Sequence, residues 1–174
     1  MAATVRMSYY GGAATEPAGA SAEGGIKYNR ADSLTGTTPI PRPTSAGTNN
    51  SFVKQLALEV TASDATAISN RTIRFNGALA TGLGLFFLGH ATYLDQTGGT
   101  GAPADDGTTN GVTPSGYAAV TGSAQGYHSN SASAGSTGRN GNFCRTVATV
   151  SNNYAGGAGS AITLTDVILG YDEA

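Results

Sequence analysis

The chain has 174 residues, enough for one domain with a sizeable core, and carries a net charge of −2. Only 11% of the residues are charged and 39% are hydrophobic, with 26 glycines taking up much of the remainder. That balance excludes a highly charged disordered chain and a helical protein rich in Leu, Glu and Lys, and the nine Lys and Arg are too scattered to track nucleic-acid phosphates.

No apolar run approaches the ~20 residues of a membrane span, and no apolar signal-peptide core follows Arg6. Cys144 is the single cysteine, so an intrachain disulfide is impossible and folding in a reducing compartment is expected.

The first expected strands are "TVRMSYY" (residues 4–10) and "GIKYNR" (25–30). Between them "TEPAGASAEG" has a cap and an early proline, but it carries Gly19 and no apolar stripe, so it is not expected to be a helix. "TTPIPRPT" (37–44) then places Pro39, Pro41 and Pro43 at alternate positions. Proline lacks a backbone donor and forces its predecessor into extended conformations. One edge of this segment is therefore donorless, while Ile40 and Arg42 keep their N–H groups on the other. It is expected to be an extended arm or an outward-facing edge, and Pro39, Ile40, Pro41, Arg42 and Pro43 form the candidate interface.

"SFVKQLALEVTA" (51–62) alternates with period two. It predicts a half-buried strand with Phe52, Lys54, Leu56, Leu58 and Val60 on the inner face, Lys54 sitting near the strand's start where its amine reaches water. "TAISN" (66–70) and "RTIRFN" (71–76) follow, with Ile73 and Phe75 inward and Arg74 outward. "GLGLFFLGHATYL" (82–94), apolar on both faces, predicts a central strand. "YAAVT" (117–121), "FCRTVATV" (143–150) and "AITLTDVILGYDE" (161–173) complete the set. In the last, the apolar face switches near Thr165–Asp166, which implies a bulge there or burial of both faces. Two glycine-rich stretches, 95–116 and 122–142, are expected to be long loops without a core of their own. The expected fold is all-β: a single-domain antiparallel sandwich, jelly-roll-like, with residues 1–48 forming an N-terminal region that carries the arm and residues 49–174 forming the sandwich, as one structural unit.

Candidate chemistry is sparse. His90 reads as a packed or edge histidine and His128 as a solvated one in a polar loop. "DDGTTN" (105–110) lacks the alternate ligands and distal Glu of a calcium loop. Cys144 reads as a small buried side chain. No nucleophile elbow or dinucleotide fingerprint occurs, and nothing brings Asp95, Asp105 or Asp106 together as a carboxylate pair. No catalytic, cofactor or metal residue is expected.

The run "KYNRADSLTGTTPIPRPTSAGTNNSFVKQLALEVTA" (27–62), with "SNRTIRFNGALATGLGLFF" (69–87) and "GAPADDGTTNGVTPSGY" (101–117), resembles a type of small virion protein of tailed bacteriophages. The resemblance covers about half the chain. It implies a capsid decoration (cement) protein, made in the host cytoplasm and residing on the particle surface, whose partners are further copies of itself in a dimer or trimer and the major capsid protein or another virion protein. Neither nucleic acid nor a membrane is an implied partner. A neck, tail, baseplate or fibre component is the next reading. A host-surface glycan-binding module, with Tyr117, Tyr127 and Tyr154 stacking on sugars, is the reading from a different class, and a weak glycan contact is compatible with either.

Overall fold

A computed structural model describes residues 3–62, 67–94, 116–128, 132–133, 137–156 and 162–173. Among them the chain is all-β, without a helix, in several antiparallel sheets. In chain order the strands are β1 (Thr4–Tyr10), β2 (Ala20–Ser21), β3 (Ile26–Tyr28), β4 (Thr48–Asn50), β5 (Lys54–Ala62), β6 (Ala67–Phe75), β7 (Leu83–His90), β8 (Ala118–Ala119), β9 (Gln125–His128), β10 (Ala132–Ser133), β11 (Gly138–Ser151), β12 (Ile162–Leu164) and β13 (Val167–Glu173).

The largest sheet runs β2-β1-β5-β11-β7-β8, with β4 beside β11 on the edge that β5 also uses. β4 and β5 are one interrupted line. At the interruption Ser51 keeps the ladder: its N–H donates to the Ala148 carbonyl and its Oγ accepts the Ala148 N–H. A second sheet centres on β6, with β13 on one side and β9 and β10 on the other. β3 and β12 form a separate pair.

All three sheets contribute to one core. Tyr9, Leu56, Leu85, Phe87, Cys144, Ala148 and Val150 come from the large sheet, Ile73, Phe75, Tyr127 and Val167 from the second, and Ile26, Tyr28, Ile162 and Leu164 from the pair. The sheets approach closely where β7 passes β9. A Cβ on Gly89 would lie 2.1 Å from the Tyr127 carbonyl oxygen, so only glycine fits there.

Four expectations need correction. The strand at 51–62 is buried on both faces rather than one: Val53, Gln55 and Ala57 are as inaccessible as Leu56. The cause is the chain after β7, which folds back over the outer face. There the Gln55 amide exchanges two hydrogen bonds with Leu94, at 2.8 and 2.7 Å, and Tyr93 packs edge-on against Phe143. The stretch 122–142 is not wholly loop, since β9, β10 and the start of β11 lie in it. Small residues there take strand geometry because β6 and β5 offer their backbone groups. His128 accordingly sits half-buried in β9 opposite Arg71, not in a solvated loop. The face switch at Thr165–Asp166 is a change of sheet: β12 ends in one pair and β13 begins in another. The runs at 66–76 merge into β6 across Asn70, which takes a φ of 47°.

The stretch 95–116 and the carboxylates Asp95, Asp105 and Asp106 lie outside the described residues, Gly116 excepted.

Two predictions follow from the core. Leu56→Ala removes a fully buried side chain and is expected to cost roughly 2–5 kcal/mol in denaturant unfolding. Four phenols, Tyr9, Tyr10, Tyr28 and Tyr127, are held protonated chiefly by burial, Tyr10 being pushed up to about 12. Above pH 10 the unfolded chain therefore binds fewer protons than the folded one, and stability falls as pH rises. Unfolding midpoints measured from pH 8 to 11 are expected to drop beyond pH 10, and the Tyr28→Phe chain should show a shallower drop.

Candidate interaction surface

Lys54 opens β5 with its side chain inside the protein, fully buried rather than near water, which corrects the sequence expectation. An ammonium has three protons, and here each meets an oxygen: Nζ donates to Asn29 Oδ1 at 3.1 Å, the Ala31 carbonyl at 2.5 Å and the Ser33 carbonyl at 2.9 Å. Burial lowers its pKa to about 8, opposed by the charge of Asp32.

The loop that supplies these oxygens is shaped by Asn29. Its Oδ1 also accepts the Ala31 N–H at 2.9 Å, an Asx turn, while Nδ2 donates to the Ser33 and Gly36 carbonyls at 3.0 and 2.9 Å. The Asn29 carbonyl accepts the Phe52 N–H at 2.9 Å. Asp32 fixes the outer side, accepting from the Tyr9 hydroxyl at 2.5 Å and the Gly12 N–H at 2.7 Å. Tyr28 donates to Thr146 Oγ1 at 2.8 Å, which in turn donates to the Lys54 carbonyl at 3.1 Å. The knot thus joins β1, β3, β5 and β11.

The proline segment leaves this knot. The Arg30 N–H donates to the Thr38 carbonyl at 3.1 Å, and from there no strand pairs with residues 39–43 among the described residues. Ile40 is 5% exposed and belongs to the main core, whereas Pro41 and Arg42 are exposed and Pro39 and Pro43 half-buried. Arg42 Nη1 donates to the Tyr154 carbonyl at 3.1 Å, and Asn49 Nδ2 donates to the Pro41 carbonyl at 2.7 Å. Residues 42–49 line an open concavity of about 450 Å³. The five candidate residues therefore lie together, pinned by one inward isoleucine, with proline and arginine facing out.

Among the described residues, two-residue strands, β2 and β8, close the rims of the large sheet, and β13 pairs with β6 alone. Between β1 and β13 runs a concavity of about 280 Å³ lined by Val5, Met7, Leu58, Ile168, Leu169 and Tyr171, with Arg6 and Glu23 at its margin.

Other sequence candidates are scattered. His90 Nδ1 accepts the Thr92 N–H at 3.2 Å and lies 3.0 Å from the Thr92 hydroxyl, a local turn contact. Cys144 is buried in β11 between Leu56 and Gly89, and its thiol is pushed well up by burial. No three His, Cys, Asp or Glu side chains converge among the described residues, and no helix there is long and apolar enough to cross a membrane. Sequence reading missed Arg71, which is buried and donates to the Ile68 carbonyl at 3.0 Å and to Asn140 Oδ1. The only hint was Gly141 after Asn140: with φ of 85°, it leaves the space that the guanidinium fills. Comparison of the chain with protein families, with curated proteins and with solved structures found no match.

Lys54→Met removes the donor that three oxygens share. Each keeps a second one: the Ala31 N–H on Asn29 Oδ1, the Ser33 N–H on the Ala31 carbonyl and Asn29 Nδ2 on the Ser33 carbonyl. The cost is therefore that of the lost hydrogen bonds to a charged group, roughly 1.5–3 kcal/mol each. The expected result is a destabilised loop cleaved by trypsin after Arg30 at least tenfold faster. Arg30 is the reporter because the Arg42–Pro43 bond resists trypsin. Unchanged cleavage would show that the loop holds without the ammonium.

Proposed function

We propose that this chain is a non-enzymatic structural protein of a tailed-phage particle, a decoration protein that binds the major capsid protein and further copies of itself. The observation that carries this reading is the proline segment: anchored at Ile40 and at the lysine knot, it presents Pro41 and Arg42 outward from an all-β body. A preset extended segment loses little conformational freedom on docking, and Arg42, exposed and with a backbone donor between two prolines, suits pairing with a neighbour's strand. The scarcity of charge fits a surface meant to lie against other protein. We read the packing of the large sheet on the smaller ones as a sandwich of jelly-roll kind, because their side chains share one core.

A neck, tail, baseplate or fibre position is the second reading, with the same docking segment and a different neighbour. The glycan-binding reading ranks below both: Tyr117 and Tyr127 are buried, leaving Tyr154 of the three rings proposed to stack on sugar.

Light scattering on the purified chain should give a dimer or trimer, and the chain should sediment with empty shells of the cognate major capsid protein. A strict monomer that ignores such shells would sink the decoration reading. Pro41→Gly loosens the free segment without touching the core, so it should weaken shell binding about tenfold while moving the melting temperature by no more than about 2 °C. Equal losses in both would mean that the segment serves only its own fold.

A further inference from the structure

The lysine knot brings an amine and a carboxamide together out of water. Lys54 and Asn29 are both 0% exposed, and Nζ lies 3.1 Å from Oδ1. A C=O bond is about 1.2 Å long, so Nζ is no more than about 4.3 Å from Cγ, a side-chain adjustment away from attack distance. We propose that Lys54 and Asn29 form an intramolecular isopeptide bond, which locks the base of the proline segment covalently.

The surroundings supply what the reaction requires. Burial disfavours the ammonium and gives the amine a usable neutral fraction near neutral pH. The Ala31 N–H, 2.9 Å from Oδ1, stabilises the negative charge that develops there during attack. The Ser33 and Gly36 carbonyls already hold the protons of Nδ2, the leaving nitrogen. Asp32, whose charge acts on Lys54, is the proton acceptor.

The step balances without a further reactant. The Lys54 ammonium passes one proton to Asp32, and the Nζ lone pair forms the Nζ–Cγ bond. A second Nζ proton moves to Nδ2 and the Cγ–Nδ2 bond breaks. The ammonia so formed takes back the proton on Asp32 and leaves as ammonium ion. One Lys ammonium and one carboxamide become one secondary amide and one ammonium ion, with charge and hydrogens conserved. Proximity provides the rate, as both groups are held by the fold.

Intact-mass measurement of the full chain tests this directly. The expected mass is below that of the sequence by one ammonia, and the Lys54→Met and Asn29→Ala chains should show no such loss. A tryptic digest should contain the tripeptide 28–30 joined to residues 31–71, because trypsin cannot cut after an acylated Lys54. A succinimide at an asparagine loses the same mass but yields no branched peptide, and that result would overturn the proposal. So would a full sequence mass that persists through a day at pH 9, where the amine is mostly neutral. The other titratable groups around Lys54 are Asp32, Tyr9 and Tyr28, and the two phenols stay protonated at that pH. Asp32→Asn keeps an acceptor for Tyr9 and removes the proton acceptor, so bond formation there should slow at least tenfold. None of these outcomes depends on what the protein docks against.

Discussion

One buried lysine side chain organises this molecule. An ammonium inside a protein is tolerated only when its protons are satisfied, and Lys54 meets that demand with two backbone carbonyls and one carboxamide oxygen from residues 29–33. Satisfying it dictates the path of the loop, the loop dictates where the proline segment begins, and Ile40 dictates where that segment turns back onto the body. The exposed rim is thus a consequence of an interior charge.

The same economy recurs at Arg71, the other fully buried long cation, which sits beside β11 with Asn140 and an adjacent glycine. Surface charges act more locally: Glu59 accepts from Arg6 at 2.8 Å across β1 and β5, and Arg139 lies over the Phe143 ring at 4.2 Å while pairing with Glu16 at 2.7 Å. Such exposed or partly exposed pairs contribute little each. The few charges in the chain are therefore spent on placing backbone rather than on a charged coat.

What could be read in advance follows from what each signal encodes. β1 was legible to the residue, and β5, β7, β11 and β13 were legible as strands, because apolar alternation and β-branching report burial. Among the described residues, the absence of strand pairing at residues 39–43 agrees with the donorless edge that three prolines impose, whereas the burial of Ile40 in the core carried no sequence signal. The lysine knot was not legible, since its acceptors are mostly main-chain oxygens, which every residue possesses, and Asn29 lies 25 positions from Lys54. Nor was the second covered face of β5, which depends on residues 91–94 returning across the sheet through Gln55. Strands that lack apolar alternation, such as β9 (QGYH) and the start of β11 (GRNGN), carry no period-two signature and exist because a neighbour has ladder positions to fill.

The central position of β11 in the large sheet bears on biosynthesis. β5 is complete by residue 62, yet the strand that covers its second edge ends at Ser151. At about 5–20 residues per second on the ribosome, the nascent chain carries an unpaired strand edge, a row of free N–H and C=O groups, for several seconds. The sheet cannot close cotranslationally from its first half, so a message truncated before β11 yields an adhesive fragment rather than a smaller folded unit. Chaperone shelter during that interval is the natural demand of this topology.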